Sequence, residues 1–322
     1  MRIGIVHRRA EVRRRLSRMI SRIPGHDVAW SAGEGEEAVR LAVADPPDLL
    51  LMEVGLDGVA PACRPLLERV EAPVLAVTPS VPGPALLDAL RSGVRNLLPE
   101  PRSGAGGPHP LEVERLARAF RLATEPSEEA PPGPPLVAIG ASTGGPPAVA
   151  RVLGALPPGF APAVVVAQHV DPSFSAGLVS WLDGQTALPV LRARPGDRPA
   201  AGTVYIAAAD AHLFLTPEGV FSDLPNGLGN ACTPSVDLLF WSLAGAPAGV
   251  AVLLTGMGRD GAEGLLNLRR SGWHTIAQDE DSSAVYGMPR VARNMGAAAE
   301  VLALAGIAPA IVAAAARRIG SA

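Results

Sequence analysis

Leu136-Val137-Ala138-Ile139-Gly140-Ala141-Ser142-Thr143-Gly144-Gly145 is an apolar run that breaks into a turn of small residues. The stretch Pro146 to Leu156 that follows has helical patterning. Strand, tight turn and helix in that order are the unit of an α/β fold. Gly140 to Gly144 also reads G-x-S-x-G, in which small neighbours let the chain turn and leave a serine hydroxyl free. The backbone N–H groups after Ser142 lie at a helix N-terminus, where they stabilise a developing oxyanion. The same geometry also cradles phosphate, and with 35 glycines in the chain the pattern alone does not choose between the two.

The alternation extends in both directions. Before this run, apolar segments at Ile3 to Val6, Asp48 to Val54, Pro73 to Thr78 and Val94 to Leu98 alternate with helical stretches near Glu11 to Ile23, Gly35 to Ala44, Pro84 to Ser92 and Pro110 to Ala123. After it, strands are expected at Ala163 to Ala167, Val204 to Ala207, Gly249 to Leu254 and His274 to Ala277. Helices are expected at Phe174 to Leu182, Ser235 to Leu243, Gly261 to Ser271 and Pro309 to Ile319. His212 to Thr216 and Val220 to Ser222 flank Pro217-Glu218-Gly219 and predict a hairpin on the sheet edge. Continuous apolar strands imply parallel sheets buried on both faces. The fold class is α/β, with two doubly wound parallel-sheet domains. The acidic, Pro-rich stretch 123–135 reads as the linker between domains 1–122 and 136–322.

The composition narrows the function. A chain of 322 residues, 48% hydrophobic and 18% charged, supports two cores. A net charge of -3 and a pI near 6.1 give no electrostatic footprint for nucleic acid. Two cysteines, Cys63 and Cys232, suit neither a disulfide framework nor a cysteine zinc site. The N-terminus reads as a first strand rather than a signal peptide, and no apolar run is long enough to insert in a bilayer. A reducing, cytoplasmic setting follows.

In open α/β sheets, sites form at the carboxyl ends of strands. Three such ends in the second domain carry polar groups: Ser142, then Gln168-His169 after Ala163 to Ala167, then Asp260 in the Gly-rich loop Thr255 to Gly261. Each has an ordinary structural use; Asp260, for instance, precedes a helix and suits a cap. Together they are the parts of a triad, with His169 drawing the proton from Ser142 and Asp260 orienting the imidazole. The order Ser…His…Asp departs from that of α/β-hydrolases. No His/Glu pair has zincin spacing, and no cofactor or metal is expected.

At these residues the chain resembles the chemotaxis protein-glutamate methylesterase family (CheB). The resemblance rests on Ile139 to Gly145, Gln168-His169, Pro234 to Phe240, Leu254 to Gly261, Thr275 to Gln278 and Gly287 to Pro289, and covers roughly residues 136 to 305. It implies a serine hydrolase that demethylates glutamate methyl esters, and deamidates certain glutamines, on chemoreceptor cytoplasmic helices. It assigns Ser142 as nucleophile, His169 as base and Asp260 as orienter, and places Thr143 and Met257 in the oxyanion and substrate loop. Chemotaxis-type signalling proteins are the further partners it implies.

In that family the N-terminal domain is a response-regulator receiver of flavodoxin-like fold, ahead of a Rossmann-like esterase domain. Asp57-Gly58 and Thr78 stand where a receiver would have them. Its phosphorylation set does not: the acidic pair reads His7-Arg8, the phosphoacceptor aligns with Glu53, and the lysine before proline with Glu100. Mg²⁺ wants hard oxygen ligands, which imidazole and guanidinium do not supply. Ordinary aspartyl phosphorylation is not expected, and Arg8 is positioned to pair with Glu53. A scaffold with little turnover is the competing function. A nucleotide-binding protein is the third reading, weakened because the phosphate-loop lysine and the distal acidic residue are both missing.

Overall fold

Five parallel strands build the first sheet: β1 (Arg2–Val6), β2 (Asp27–Ala32), β3 (Leu49–Gly55), β5 (Val74–Thr78) and β6 (Val94–Pro99). Their order is β2-β1-β3-β5-β6, with the two-residue β4 (Gly58–Val59) antiparallel to β3. This is the flavodoxin-like order. The computed structural model describes residues 1–55, 58–59, 63–79, 89, 93–102, 107–124, 133–207, 209–225 and 232–319. The chain divides into Met1–Glu129 and Ala130–Ala322. The helix expected near Pro84 to Ser92, apart from Ala89, lies outside the described residues, as do Asp57 and linker positions 125–132. Helices α1 (Ala10–Ile20), α2 (Gly35–Ala44), α3 (Arg64–Arg69) and α4 (Pro110–Thr124) accompany this sheet among the described residues. α1 and α4 set Leu16, Met19, Leu116 and Phe120 against Ile3, Ile5, Leu49 and Leu51.

The second sheet has seven strands, all parallel: β7 (Leu136–Ala141), β8 (Ala163–Gln168), β9 (Val190–Arg192), β10 (Val204–Ile206), β13 (Val250–Leu253), β14 (His274–Gln278) and β15 (Glu300–Leu302). Their order is β15-β14-β13-β7-β8-β10-β9. The chain runs outward from β7 in one direction, then returns to β13 on the other side. The switch point therefore lies between β7 and β13, where α/β sheets bind ligands.

Both faces of this sheet are covered, which is why its central strands read as unbroken apolar runs. Val137, Ile139, Val250 and Val252 face one core with Val149, Leu153 and Ile311. Leu136, Ala138, Ala251 and Leu253 face the other with Leu239, Phe240, Leu265 and Leu268. Truncating a central residue such as Ile139 to Ala would cost roughly 2–5 kcal/mol. The flanking helices are α5 (Gly145–Gly154), α6 (Pro172–Asp183), α7 (Val236–Ser242), α8 (Ala262–Arg270), α9 (Met288–Asn294) and α10 (Leu304–Ile319).

Two expectations change. The hairpin β11 (Ala211–Leu215) and β12 (Phe221–Pro225) forms its own two-stranded sheet, and the edge it was expected to occupy belongs to β9. Both hairpin strands are largely buried, because Leu213, Leu215 and Phe221 pack into the second core. The last helix begins five residues before Pro309, since Ile307 and Ala308 join Ile311 and Ala314 in the first core. Among the described residues no helix is long and apolar enough to cross a membrane.

Candidate active site

β7 ends at Ala141 and α5 begins at Gly145, so the chain reverses within Ser142-Thr143-Gly144. Gly144 makes the reversal possible: its φ is +75°, and a Cβ there would lie 2.4 Å from the Ala284 Cβ. Pro146 and Pro147 fall in the first turn of α5, whose N–H groups have no intrahelical partner to lose. The Ser142 carbonyl accepts from Gly145 N–H at 2.8 Å, and Ser142 N–H donates to the Thr255 carbonyl at 3.0 Å. Thr255 is buried and ties the turn to two further strand ends. Its Oγ1 donates to the Thr143 carbonyl at 3.0 Å, and its N–H donates to Gln278 Oε1, at the end of β14, at 2.8 Å. Gly256 leaves room for the serine, since a Cβ there would sit 2.7 Å from Ser142 Cβ. Among the described residues the Ser142 hydroxyl has no hydrogen-bond partner, nor do the backbone N–H groups of Thr143 and Met257.

The register of β7 against β8 sets Ala141 opposite Gln168, so Ser142 and His169 leave adjacent strands side by side. His169 N–H donates to the Ala141 carbonyl at 3.0 Å. His169 Nε2 meets Asp260 Oδ2 at 2.8 Å, which leaves Nδ1 as the ring nitrogen open toward other groups. Asp260 has three further donors: Val236 N–H at 2.8 Å, Asp237 N–H at 3.0 Å and the Ser235 hydroxyl at 3.3 Å. The structure thus joins His169 to Asp260 and sets Ser142 beside them, with the Ser142–His169 hydrogen bond open. Catalytic hydrogen bonds often close only with substrate. Thr143 and Met257 flank the same turn with their side chains exposed, Met257 at 74%.

Burial alone would push Asp260 up. The hydrogen bond from His169, the N–H groups of Asp237 and Val236, and the His169 charge together hold it below the usual carboxylate value. Its neighbour Asp237 goes the other way, pushed up to about 8 by burial first and by the charge of Asp260 second. Asp237 Oδ1 accepts from Gly264 N–H at 2.7 Å. His212 is fully buried, and burial lowers it to about 4 against the pull of Asp260. Its Nδ1 accepts from Ser235 N–H at 3.1 Å, so this neutral ring fixes the residue that in turn binds Asp260. None of Ser235, Asp237, His212 or Thr255 has an assigned role in the sequence reading; Pro234 to Phe240 carries only a family likeness there.

Residues 137–311 match the CheB methylesterase family. The chain belongs to that family. It is 42% identical to a protein-glutamate methylesterase/protein-glutamine glutaminase of Burkholderia lata, over 97% of each chain. It is equally 42% identical to a protein of that name from Cupriavidus metallidurans, over 97% of this chain and 98% of the relative. Among solved structures it is similar to the CheB methylesterase catalytic domain of Thermotoga maritima. That match has 34% identity and a TM-score of 0.53 over 56% of this chain and 97% of that one.

The first unit of this CheB-family chain holds a different cluster. His7 follows β1 and is buried; its Nδ1 accepts from Arg9 N–H at 3.1 Å and its Nε2 meets Glu100 Oε1 at 3.1 Å. Arg8 takes both oxygens of Glu53, through Nε at 2.7 Å and its backbone N–H at 2.8 Å. Arg9 forms an ion pair with Glu100, and Arg13 donates to the His7 carbonyl at 2.6 Å. Burial lowers His7 to about 4, opposed by Glu53 and reinforced by Arg9, Arg8 and Arg13, so the ring is neutral at pH 7. A receiver-type Mg²⁺ does not fit: both Glu53 oxygens are taken by Arg8, both Glu100 oxygens are taken by His7 and Arg9, and the groups that hold them are nitrogen donors. All 28 basic residues of the chain are arginine, so a receiver lysine has no substitute elsewhere.

Proposed function

We propose that this chain is a serine hydrolase that removes methyl groups from glutamate methyl esters, and deamidates glutamines, on the cytoplasmic helices of chemoreceptors. One observation carries the reading. The Ser142 hydroxyl is unengaged at the switch point, beside a histidine whose far nitrogen meets a carboxylate with three other donors. The relatives named protein-glutamate methylesterase/protein-glutamine glutaminase support the substrate class.

In this mechanism His169 Nδ1 accepts the Ser142 proton as Oγ attacks the ester carbonyl. The tetrahedral oxyanion meets the free N–H groups of Thr143 and Met257, which cost nothing to reorient. The imidazolium, stabilised by ionised Asp260, returns the proton to the leaving oxygen and methanol departs. Water then attacks the acyl-enzyme with His169 again as base, and glutamate is released. With a glutamine substrate ammonia leaves in place of methanol.

The receiver-like unit takes no phosphoryl group in the usual way, because Arg8 and His7 fill the acceptor pocket. A phosphoryl group stable on Glu53 after treatment with a small phosphodonor and Mg²⁺ would refute this. The protein acts in the cytoplasm, alongside chemotaxis-type signalling proteins. The open Ser142–His169 contact favours a second reading, a partner-binding scaffold with little turnover. Methanol release from a methylated chemoreceptor separates the two: the enzyme releases methanol, and Ser142→Ala slows it by about 10⁴-fold or more. A parent chain that releases none, and resists a fluorophosphonate probe, is the scaffold.

A further inference from the structure

Gln168 ends β8 opposite Ala141 and is 2% exposed. A carboxamide at that depth persists where its polar atoms are met. Its Nε2 is met twice, donating to the Ser142 carbonyl at 2.9 Å and to the His169 carbonyl at 2.9 Å. Those acceptors belong to the two residues between which the proton passes. The opposite amide orientation would turn Oε1 onto two carbonyl oxygens, which repulsion forbids.

Oε1 itself is buried without a partner. It lies against the first residue of α5, where a Cβ on Gly145 would come within 2.1 Å of Oε1 and 2.8 Å of the carboxamide carbon. Gly145 has no positive φ, so its missing side chain serves space rather than backbone freedom. The Gly144-Gly145 pair and the Gln168-His169 pair are separate in sequence but meet in one contact.

We propose that Gln168 is a positioning residue, a carboxamide clamp that holds Ser142 and His169 in register for proton transfer. This rests on the serine-hydrolase reading above. Ser142 and His169 sit on different strands, and among the described residues Gln168 is the one side chain bonded to both. The clamp makes and breaks no bonds. It sets the spacing on which the transfer depends, and shifts of about 1 Å in such spacing cost on the order of 10²-fold in rate.

The test uses the full chain. Gln168→Met keeps the volume and removes the donors; Gly145→Ala drives a methyl into the carboxamide. For each, kcat and KM for methanol release from a methylated chemoreceptor are measured per active site titrated with a fluorophosphonate. The second-order rate of probe labelling and the urea unfolding midpoint are measured beside them. The expected result is a fall of about 10- to 100-fold in kcat and labelling rate together, with KM within about twofold and a cooperative unfolding transition. The double variant should be no slower than the worse single one, because both break the same clamp. Rates per titrated site within about twofold of the parent overturn the clamp, as does a double variant whose losses multiply. If Gln168→Met does not fold, Gly145→Ala decides by the same criteria. A parent chain inert to both receptor and probe overturns the hydrolase reading and the clamp with it. An active parent with unaffected variants overturns the clamp alone.

Discussion

Asp260 and Glu53 are both carboxylates near the carboxyl end of a parallel strand, and each faces a histidine: His169 at 2.8 Å and His7 at 3.5 Å. They differ in what else holds them. Asp260 is met by two backbone N–H groups and a hydroxyl, all neutral, so its charge is left for the imidazole. Glu53 is met by the Arg8 guanidinium, a permanent cation in fixed geometry. A carboxylate satisfied by neutral donors still stabilises a charge appearing beside it; one paired with arginine has little attraction to spare. A carboxylate beside an imidazole thus keeps its charge for the ring in one unit and gives it to arginine in the other.

The largest test of this contrast is Ser142→Ala, expected to remove methanol release by about 10⁴-fold or more. Next is Asp260→Asn, which keeps the shape and removes the charge. By triad logic it should cost about 10³- to 10⁴-fold in kcat, and a loss under tenfold would break the comparison. A smaller effect falls on stability. Asp237, pushed up to about 8, is protonated in the folded chain near neutral pH and ionised when unfolded. Folding therefore binds a proton, and stability falls as pH rises from the ordinary carboxylate range, about 4, through about 8. Asp237→Asn keeps an acceptor for Gly264 N–H and removes this titration. Urea unfolding at pH 5 and pH 9 should show the alkaline loss shrinking by roughly 2 kcal/mol or more in the variant. The smallest effect is expected in the first unit. The Arg8 side chain is 77% exposed, so Arg8→Ala should shift stability by no more than about 1 kcal/mol. A larger loss would mean that the Glu53 pair is buried in solution.

The parts of both units that were legible in the sequence are those buried on two sides. Strands β3, β5, β7, β8 and β13 are continuous apolar runs and stand out without further help. Strand β2 has no such signal because it is an edge strand, with Trp30 and Ala32 buried, Ser31 exposed between them and Asp27 exposed at its start. Strands β9 and β15 are three residues each and partly exposed, a pattern shared with loops. At the site, Ser142, His169 and Asp260 were marked by their strand ends. The Asp260 cradle was not, because backbone N–H groups of Val236 and Asp237 have no sequence signature. Neither did His212 and Asp237, whose altered protonation comes from burial that only packing across distant segments creates.

The three-residue strands β9 and β15 have a further consequence. They are the two edges of the seven-stranded sheet, and each exposes only a few backbone N–H and C=O groups to a strand from another molecule. Charged side chains guard both: Arg192 of β9 is paired with Asp210, and Glu300 of β15 is paired with His274 of β14. Short strands carrying charged side chains at both edges are a device that disfavours edge-to-edge pairing of so hydrophobic a sheet.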